Sequence, residues 1–472
     1  MITEIVMMLA IALGGAAFSR MLRISSIWFG FAASLVAAMA LRGVTFVLLY
    51  PIGLQIYSKW VFAALSFAAF VWVFIRERKQ LLPLLWLPLG AAVATIIATR
   101  VIGFSRLGHS DSRWILIVVH VMQQGDSLGI LDDSNVFKRG LIFPLMLALG
   151  DSREFLTSLT PYAYAALVSA GIGIATLVLK GYSRRTLWLA SLPVVLALYT
   201  STMWLRATFL LNSHLFMGLL ITVALLVTIK AMQAGKLDRG DFWLLVLTSF
   251  SFGMVRSEGL LINLVILLPL LSTKLLTRAQ ILWLLITASV SFSIWIAFYN
   301  SYILQATHLP WLALMAVLVA GSALPALKWF DWLRARSFTI AIWLLAAVLA
   351  GLTIFFSESM LRGWRAIWAN LGVGHGLWGA APFILVLGIL FGIGKSISAE
   401  HRLLVKVSAL LLLTFLAAKT LDDAAIGEPG LGRVGWGDSL NRMWIHVIVV
   451  FAITAILGIA SRLQPDVKGE IV

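Results

Sequence analysis

The feature that most constrains this chain is a series of apolar runs, each roughly 17 to 25 residues long, that recurs from one end to the other. A run of that length crosses a hydrocarbon core of about 30 Å as an α-helix, and short charged clusters separate one run from the next. No connection is long enough for a soluble domain. The sequence therefore predicts an all-α fold, a polytopic transmembrane helix bundle with about 15 spans.

Charge predicts the orientation of these spans. Every second connection is basic, and these connections contain 21 of the 36 basic residues, whereas 13 of the 20 acidic residues fall in the others. The positive-inside rule assigns the basic connections to the cytoplasm, which puts the N-terminus outside and the C-terminus inside. The same rule explains the net charge of +16, so nucleic acid is not an expected partner. The absence of cysteine excludes disulfides and thiol nucleophiles.

Three outer connections are long enough to contain structure, namely 103–140, 357–379 and 421–441. Within the first, the stretch 113–123 is too short to span a membrane and too apolar for a free loop, which predicts a helix lying in the interface. The stretch 140–150 that follows is a short apolar segment with an internal proline, and we expect a half-helix that dips in from the outer side.

The first outer loop contains the densest group of polar residues. Asp111 stands at the entry to the interfacial helix, where its carboxylate would act as a general base or cap free backbone N–H groups. Asp132 and Asp133 offer oxygen ligands for a divalent cation, although solvated carboxylates are the simpler alternative. Lys138 and Arg139 precede the half-helix and would hold a phosphate or anchor the chain at the interface. The supporting candidates in this loop are His109, Arg113 and Asp126.

Two further outer segments carry candidate residues. Arg256 and Glu258 occupy a tight turn between two spans, where they would contact substrate or pair with each other. Arg442 and His446 are four residues apart at the last span and are predicted to share one helix face, directed toward an anionic head group. A plain interface anchor is the alternative for this second pair.

The order of these motifs resembles the GT-C superfamily of integral-membrane glycosyltransferases, which includes protein O-mannosyltransferases and lipid A aminoarabinose transferases. The resemblance covers roughly residues 82–450 and leaves three spans before it. Its motifs are His109-Ser-Asp111, the interfacial helix, Lys138-Arg-Gly-Leu-Ile-Phe143-Pro144, Val255-Arg256-Ser-Glu258-Gly259 as an "Arg-Pro-Glu-Gly" turn, and Asn441-Arg442-Met-Trp-Ile-His446 as a late arginine.

Such a resemblance implies inverting transfer of a sugar from a polyprenyl-phosphate donor to a lipid, glycan or protein acceptor, on the periplasmic or extracellular face of the inner membrane. Asp111 would be the base. The groups that stabilise the leaving phosphate would be Lys138, Arg139, Arg256 and Arg442. Many family members have a second acid after the first, and a serine stands there in this chain, so the use of Mg²⁺ or Mn²⁺ is left open.

On this interpretation the chain contains accessory spans (1–80), a catalytic module (81–300) and C-terminal spans (301–472). A transporter or flippase for a lipid-linked substrate is an alternative, and it would need ionisable residues near span centres, of which Arg42 is the main example. An O-antigen-type polymerase or ligase would need a larger late outer loop. A non-catalytic assembly subunit would function normally with Asp111→Asn.

Overall fold

The computed structural model describes residues 2–102, 115–116, 118–119, 123, 140–150, 153–208, 213–300, 309–393, 398–426 and 439–464. Every regular element within these ranges is a helix, as the sequence predicts. Seven of the helices are long and apolar enough to cross a membrane. An eighth is added if a pair bent by 69°, Ala313–Ala326 with Lys328–Ala335, is one broken span. The protein is therefore a helical membrane protein.

The total of about 15 spans stays a prediction. Three further apolar helices, Gly259–Leu271, Ala381–Gly392 and Ile448–Leu463, are shorter than a full crossing. The N-terminus-outside orientation also stays a prediction, because it rests on the distribution of charge in the sequence.

The helices follow one another without an intervening strand in the described ranges. The first eleven are α1 (Ile2–Met21), α2 (Ile27–Leu49), α3 (Ser58–Ile102), α4 (Ile142–Leu147), α5 (Arg153–Val178), α6 (Arg184–Tyr199), α7 (Thr202–Ala207), α8 (His214–Ala234), α9 (Arg239–Val255), α10 (Gly259–Leu271) and α11 (Arg278–Phe298). The others are α12 (Leu309–Ala323), α13 (Asp331–Ala335), α14 (Ser337–Phe355), α15 (Ser357–Ile367), α16 (Ala381–Gly392), α17 (Ala399–Ile426), α18 (Ser439–Met443) and α19 (Ile448–Leu463).

Local sequence explains where several helices begin and break. The Ser26 hydroxyl accepts a hydrogen bond from the Phe29 amide at the start of α2, and Thr277 with Gln280 forms a capping box at the start of α11. Helix α3 has 45 residues and would be about 68 Å long if straight, more than twice the hydrocarbon thickness. Its backbone is non-helical at Glu77, whose carboxylate accepts a hydrogen bond from Arg20. The break coincides with a basic cluster that the sequence predicts on the inner side.

The described chain divides into two compact units, which differ from the predicted segments 1–80, 81–300 and 301–472. One unit contains 1–173 and 209–334, and the other contains 174–208 and 335–472. In the first unit α1, α2 and α3 pack together, and α9 packs against α2 and α11. In the second unit α16 packs against α19, while α14 and α15 pack against α17. The functional roles predicted for the segments 1–80, 81–300 and 301–472 stay a prediction.

Small residues bring α16 and α19 close together in the second unit. A Cβ atom on Gly388 would lie 2.6 Å from the Cβ of Ala455, and one on Gly458 would overlap the carbonyl of Gly388. Gly388 and Gly392 are spaced four residues apart, which is the small-xxx-small spacing of tightly packed membrane helices. The two backbones therefore approach each other where larger side chains would separate them.

Candidate functional site

The short apolar stretch 140–150 contains the helix α4, and its entry from the outer side stays a prediction. All residues from 141 to 149 are buried. Gly140 has a left-handed backbone with φ of +68°, and a Cβ atom there would lie 2.5 Å from the carbonyl oxygen of Met254. The amide of Leu141 donates a hydrogen bond to the same oxygen at 2.6 Å. The entry to α4 is therefore docked on the C-terminal end of α9.

The predicted Arg256–Glu258 turn follows this docking point directly. The backbone is extended at Arg256, and the side chain is only 7% exposed. Its Nε donates to the carboxylate of Glu258, and its Nη1 donates to the Ser213 hydroxyl at 3.3 Å. Ser213 is fully buried and is not among the residues predicted from the sequence. The predicted pairing within the turn is thus present, and the turn is also tied to the residue that precedes α8.

A second buried arginine contacts the opposite part of α4. Arg42 lies on α2, its Nε donates to the carbonyl oxygen of Leu145 at 3.2 Å, and its Nη1 donates to the Ser58 hydroxyl at 2.7 Å. From the sequence, Arg42 is connected only with the transporter alternative. The signal that points to it is an arginine inside a long apolar run. Its contact with α4 joins residues 103 positions apart, which no local pattern predicts.

The stretch predicted as an interfacial helix is helical at its described residues. Ile115, Val118 and Val119 are buried, and their spacing corresponds to one face of a helix. The side-chain amide of Gln123 donates to the carbonyl oxygen of Gly150 at 3.0 Å. This hydrogen bond joins the end of the stretch to the segment that contains α4.

The late cluster belongs to the second unit and differs from the prediction in one respect. Arg442 lies in α18, which ends at Met443, whereas His446 lies in a 3₁₀ turn that follows. The spacing of the two residues predicts one continuous α-helix. In the structure the α-helix ends between them. Both side chains are buried, and the His446 ring packs edge-on against Phe415.

Asn441 fixes the chain next to this cluster. Its side-chain oxygen accepts a hydrogen bond from the Trp378 indole at 2.7 Å, and its side-chain nitrogen donates to the Gly376 carbonyl at 3.2 Å. Asn441 and Trp378 are both buried, so each satisfies a polar group of the other. The segment that precedes α19 is thereby attached to the connection 357–379, which is predicted to lie outside.

The remaining predicted site residues lie outside the described residues. They are His109, Asp111, Arg113, Asp126, Asp132, Asp133, Lys138 and Arg139. The roles assigned to these residues therefore stay predictions. Within the described ranges no group of three or more His, Asp or Glu side chains is placed to hold a metal ion. The use of Mg²⁺ or Mn²⁺ is not tested by that result, because Asp132 and Asp133 are not among the described residues.

Comparison of the chain with protein-family models, with curated proteins and with solved structures finds no match. The likeness to the GT-C superfamily therefore rests on the order of motifs in the sequence.

Proposed function

We propose that the protein is a membrane glycosyltransferase that uses a polyprenyl-phosphate sugar donor and acts on the outer face of the inner membrane. The observation that carries the proposal is the docking of the α4 entry on the Arg256 turn. Lys138 and Arg139 immediately precede Gly140 in the sequence, and Gly140 contacts the last turn of α9. Two arginines, Arg139 and Arg256, and a lysine, Lys138, that are next to this contact in the sequence have the charge and the donors that recognise a phosphate.

The proposed reaction needs a base and a stabilised leaving group. The acceptor hydroxyl oxygen forms a bond to the anomeric carbon of the sugar, and Asp111 takes the hydroxyl proton. The bond between that carbon and the donor phosphate oxygen breaks, and its electron pair leaves with the polyprenyl phosphate. Lys138, Arg139, Arg256 and Arg442 are the candidates to stabilise this developing charge. Attack from the opposite side of the sugar inverts the anomeric configuration.

The contacts inside the first unit support the predicted alternation of inner and outer connections along the chain. Residues predicted on one side of the membrane contact partners predicted on the same side. The inner pairs are Arg20 with Glu77, Lys230 with Asp241, and Arg278 with Asp331, and the outer pairs are Leu141 with Met254 and Arg256 with Ser213. This agreement supports the alternation of the connections between residues 20 and 331, while the number of spans and the orientation rest on the sequence.

A transporter or flippase for a lipid-linked substrate is the second candidate. The observation that favours it is the burial of Arg42 within α2, because a charge inside a span is typical of a pathway for a polar substrate. The other described arginines singled out from the sequence, Arg256 and Arg442, lie at helix ends instead. The glycosyltransferase therefore remains the favoured function.

The test is sugar transfer by purified protein reconstituted in lipid, with labelled polyprenyl-phosphate sugars as donors and membrane lipids as acceptors. We expect Asp111→Asn to lower the transfer rate by about 10²- to 10⁴-fold, because it removes a general base. Arg256→Lys should also transfer more slowly, since lysine cannot reproduce a bidentate contact with phosphate. Arg278→Lys, at an exposed inner ion pair, is the matched control and should behave as wild type.

The outcomes separate the alternatives. Undiminished transfer by Asp111→Asn would remove this carboxylate from the mechanism. Failure of the wild type to transfer sugar from any donor would favour the transporter or the assembly subunit.

A further inference from the structure

Arg42 is a buried guanidinium within an apolar helix. Its side chain is 3% exposed, and Leu49, where α2 ends, is seven residues further along the chain. At a rise of 1.5 Å per residue, Arg42 lies about 10 Å along the helix from that end, inside a membrane-spanning segment. An ionised side chain at such a position is unfavourable without a compensating partner, and it therefore marks a functional site.

The contacts of Arg42 are with neutral acceptors. The hydroxyl of Ser58 and the carbonyl of Leu145 accept its two hydrogen bonds. None of the ion pairs within the described ranges includes Arg42. A guanidinium has five N–H donors, and these bonds use two of them. Three donors and one positive charge remain for an acceptor that the described chain does not supply.

The position of Arg42 connects it with the site already described. Its Leu145 partner belongs to α4, and the entry to α4 is docked beside the turn that contains Arg256. Arg256 is already paired with the carboxylate of Glu258, whereas Arg42 has no such partner in the described ranges. Of these two guanidinium groups, Arg42 is therefore the one with uncompensated charge.

The chemistry of a guanidinium favours a phosphate as the missing acceptor. Its planar fork matches two phosphate oxygens, and the charge strengthens both hydrogen bonds. A phosphate that reaches this position has to arrive within the membrane region, because Arg42 lies inside a helix that is long and apolar enough to cross the membrane. A lipid-linked phosphate is already there, whereas free phosphate would have to leave bulk water.

We infer that Arg42 binds the phosphate of the polyprenyl carrier and that the accessory spans thereby complete the donor site. The inference rests on the proposed function, since it takes the carrier as the substrate. It assigns a role to α2, which lies before the part of the chain that resembles the GT-C superfamily.

The experiment measures binding without requiring transfer. Wild-type protein in lipid nanodiscs is titrated with polyprenyl phosphate, with the uncharged polyprenol and with inorganic phosphate, and the ligand-induced rise in unfolding temperature gives Kd. We expect polyprenyl phosphate to stabilise the wild type and polyprenol to have little effect. Arg42→Gln should bind polyprenyl phosphate at least tenfold more weakly, while its unfolding temperature without ligand stays near that of wild type. The control, Arg278→Gln, should bind normally.

Three results would overturn the inference. The first is normal binding of polyprenyl phosphate by Arg42→Gln. The second is equal stabilisation of the wild type by inorganic phosphate, which would indicate a site for the free anion. The third is a large drop in the unfolding temperature of ligand-free Arg42→Gln, which would make Arg42 a structural clamp on α4.

A second measurement uses the wild type, so it does not depend on whether a variant folds. A polyprenyl phosphate analogue with a photoreactive diazirine beside the phosphate is crosslinked to the protein, and labelled peptides are identified by mass spectrometry. Labels in α2 or α4 are expected, and labels confined to other helices would contradict the inference. Binding through Arg42 with no transfer from any donor would reject the transferase alone. Transfer that is unaffected in Arg42→Gln would reject the Arg42 site alone.

Discussion

Gly140 has two properties that each exclude a larger residue. Its left-handed backbone penalises an L side chain by about 1 to 2 kcal/mol, and a Cβ atom would also press on the end of α9, where overpacking costs about 1 to 3 kcal/mol. We expect Gly140→Ala to lower the free energy of unfolding by at least about 2 kcal/mol and to reduce sugar transfer, because the α4 entry is displaced. Thermal unfolding in detergent measures the first effect.

Gly53→Ala is the matched control for this change. Gly53 also has a left-handed backbone, with φ of +72°, but no heavy atom lies within 4 Å of its Cβ position. Only the backbone penalty of about 1 kcal/mol applies there. Equal destabilisation of the two variants would mean that contact with α9 is not what requires glycine at position 140.

The sequence predicts some residue contacts of the site and not others, for a physical reason. Arg256 and Glu258 are two positions apart in a tight turn, so their pairing follows from local geometry. The contacts of Arg256 with Ser213 and of Arg42 with Leu145 depend on how distant helices pack. An arginine in an apolar run shows that a partner must exist, but hydropathy does not indicate which residue it is.

At the scale of helices, α16, α17 and α19 meet around a buried histidine. His401 lies in the first turn of α17, beside Arg402 and outside the apolar part of that helix. Its ring packs against Gly392, is 1% exposed, and finds no hydrogen-bond partner among the described residues. This burial lowers the pKa of His401 from 6.5 to about 4, because the charged ring would lose its hydration.

The lowered pKa predicts a loss of stability in mild acid. Between pH 6.5 and 4 the unfolded chain binds the His401 proton and the folded chain does not, so stability is complete above pH 6.5 and falls as the pH drops toward 4. We expect a loss of about 2 kcal/mol at pH 5 relative to pH 7. Unfolding midpoints of wild type and His401→Gln measured across this range test the origin of the loss. The exposed His375, changed to Gln, is the control and should keep the wild-type profile.

Helix positions were easier to predict than helix ends. Apolar runs predict helices because a buried backbone has to satisfy its own hydrogen bonds, and α2, α8 and α14 follow from that rule. The end of α18 between Arg442 and His446 does not follow from it. Asn441 and Trp378 attach this region through a hydrogen bond between positions 63 residues apart, and helical spacing does not contain that information.

For the whole molecule, the absence of cysteine makes the predicted sidedness directly measurable. Single cysteines are introduced at Glu358, whose side chain is 89% exposed and predicted outside, and at Lys236, which is 75% exposed and predicted inside. A membrane-impermeant maleimide added to intact spheroplasts should label Glu358→Cys only. Both variants should react after permeabilisation, and the unmodified protein should react in neither case. Labelling of Lys236→Cys in intact spheroplasts would reverse the orientation.

The hydrogen bond between Leu141 and Met254 also has a consequence for the way the protein is made. The two residues are 113 positions apart, and translation at about 5 to 20 residues per second separates their synthesis by roughly 6 to 23 s. During that interval the six residues of α4 have left the ribosome without the helix end that receives their entry, and they are too short to be held in lipid alone. Helix α4 can therefore reach its place only after α9 has been inserted, which makes its docking a late step of biogenesis.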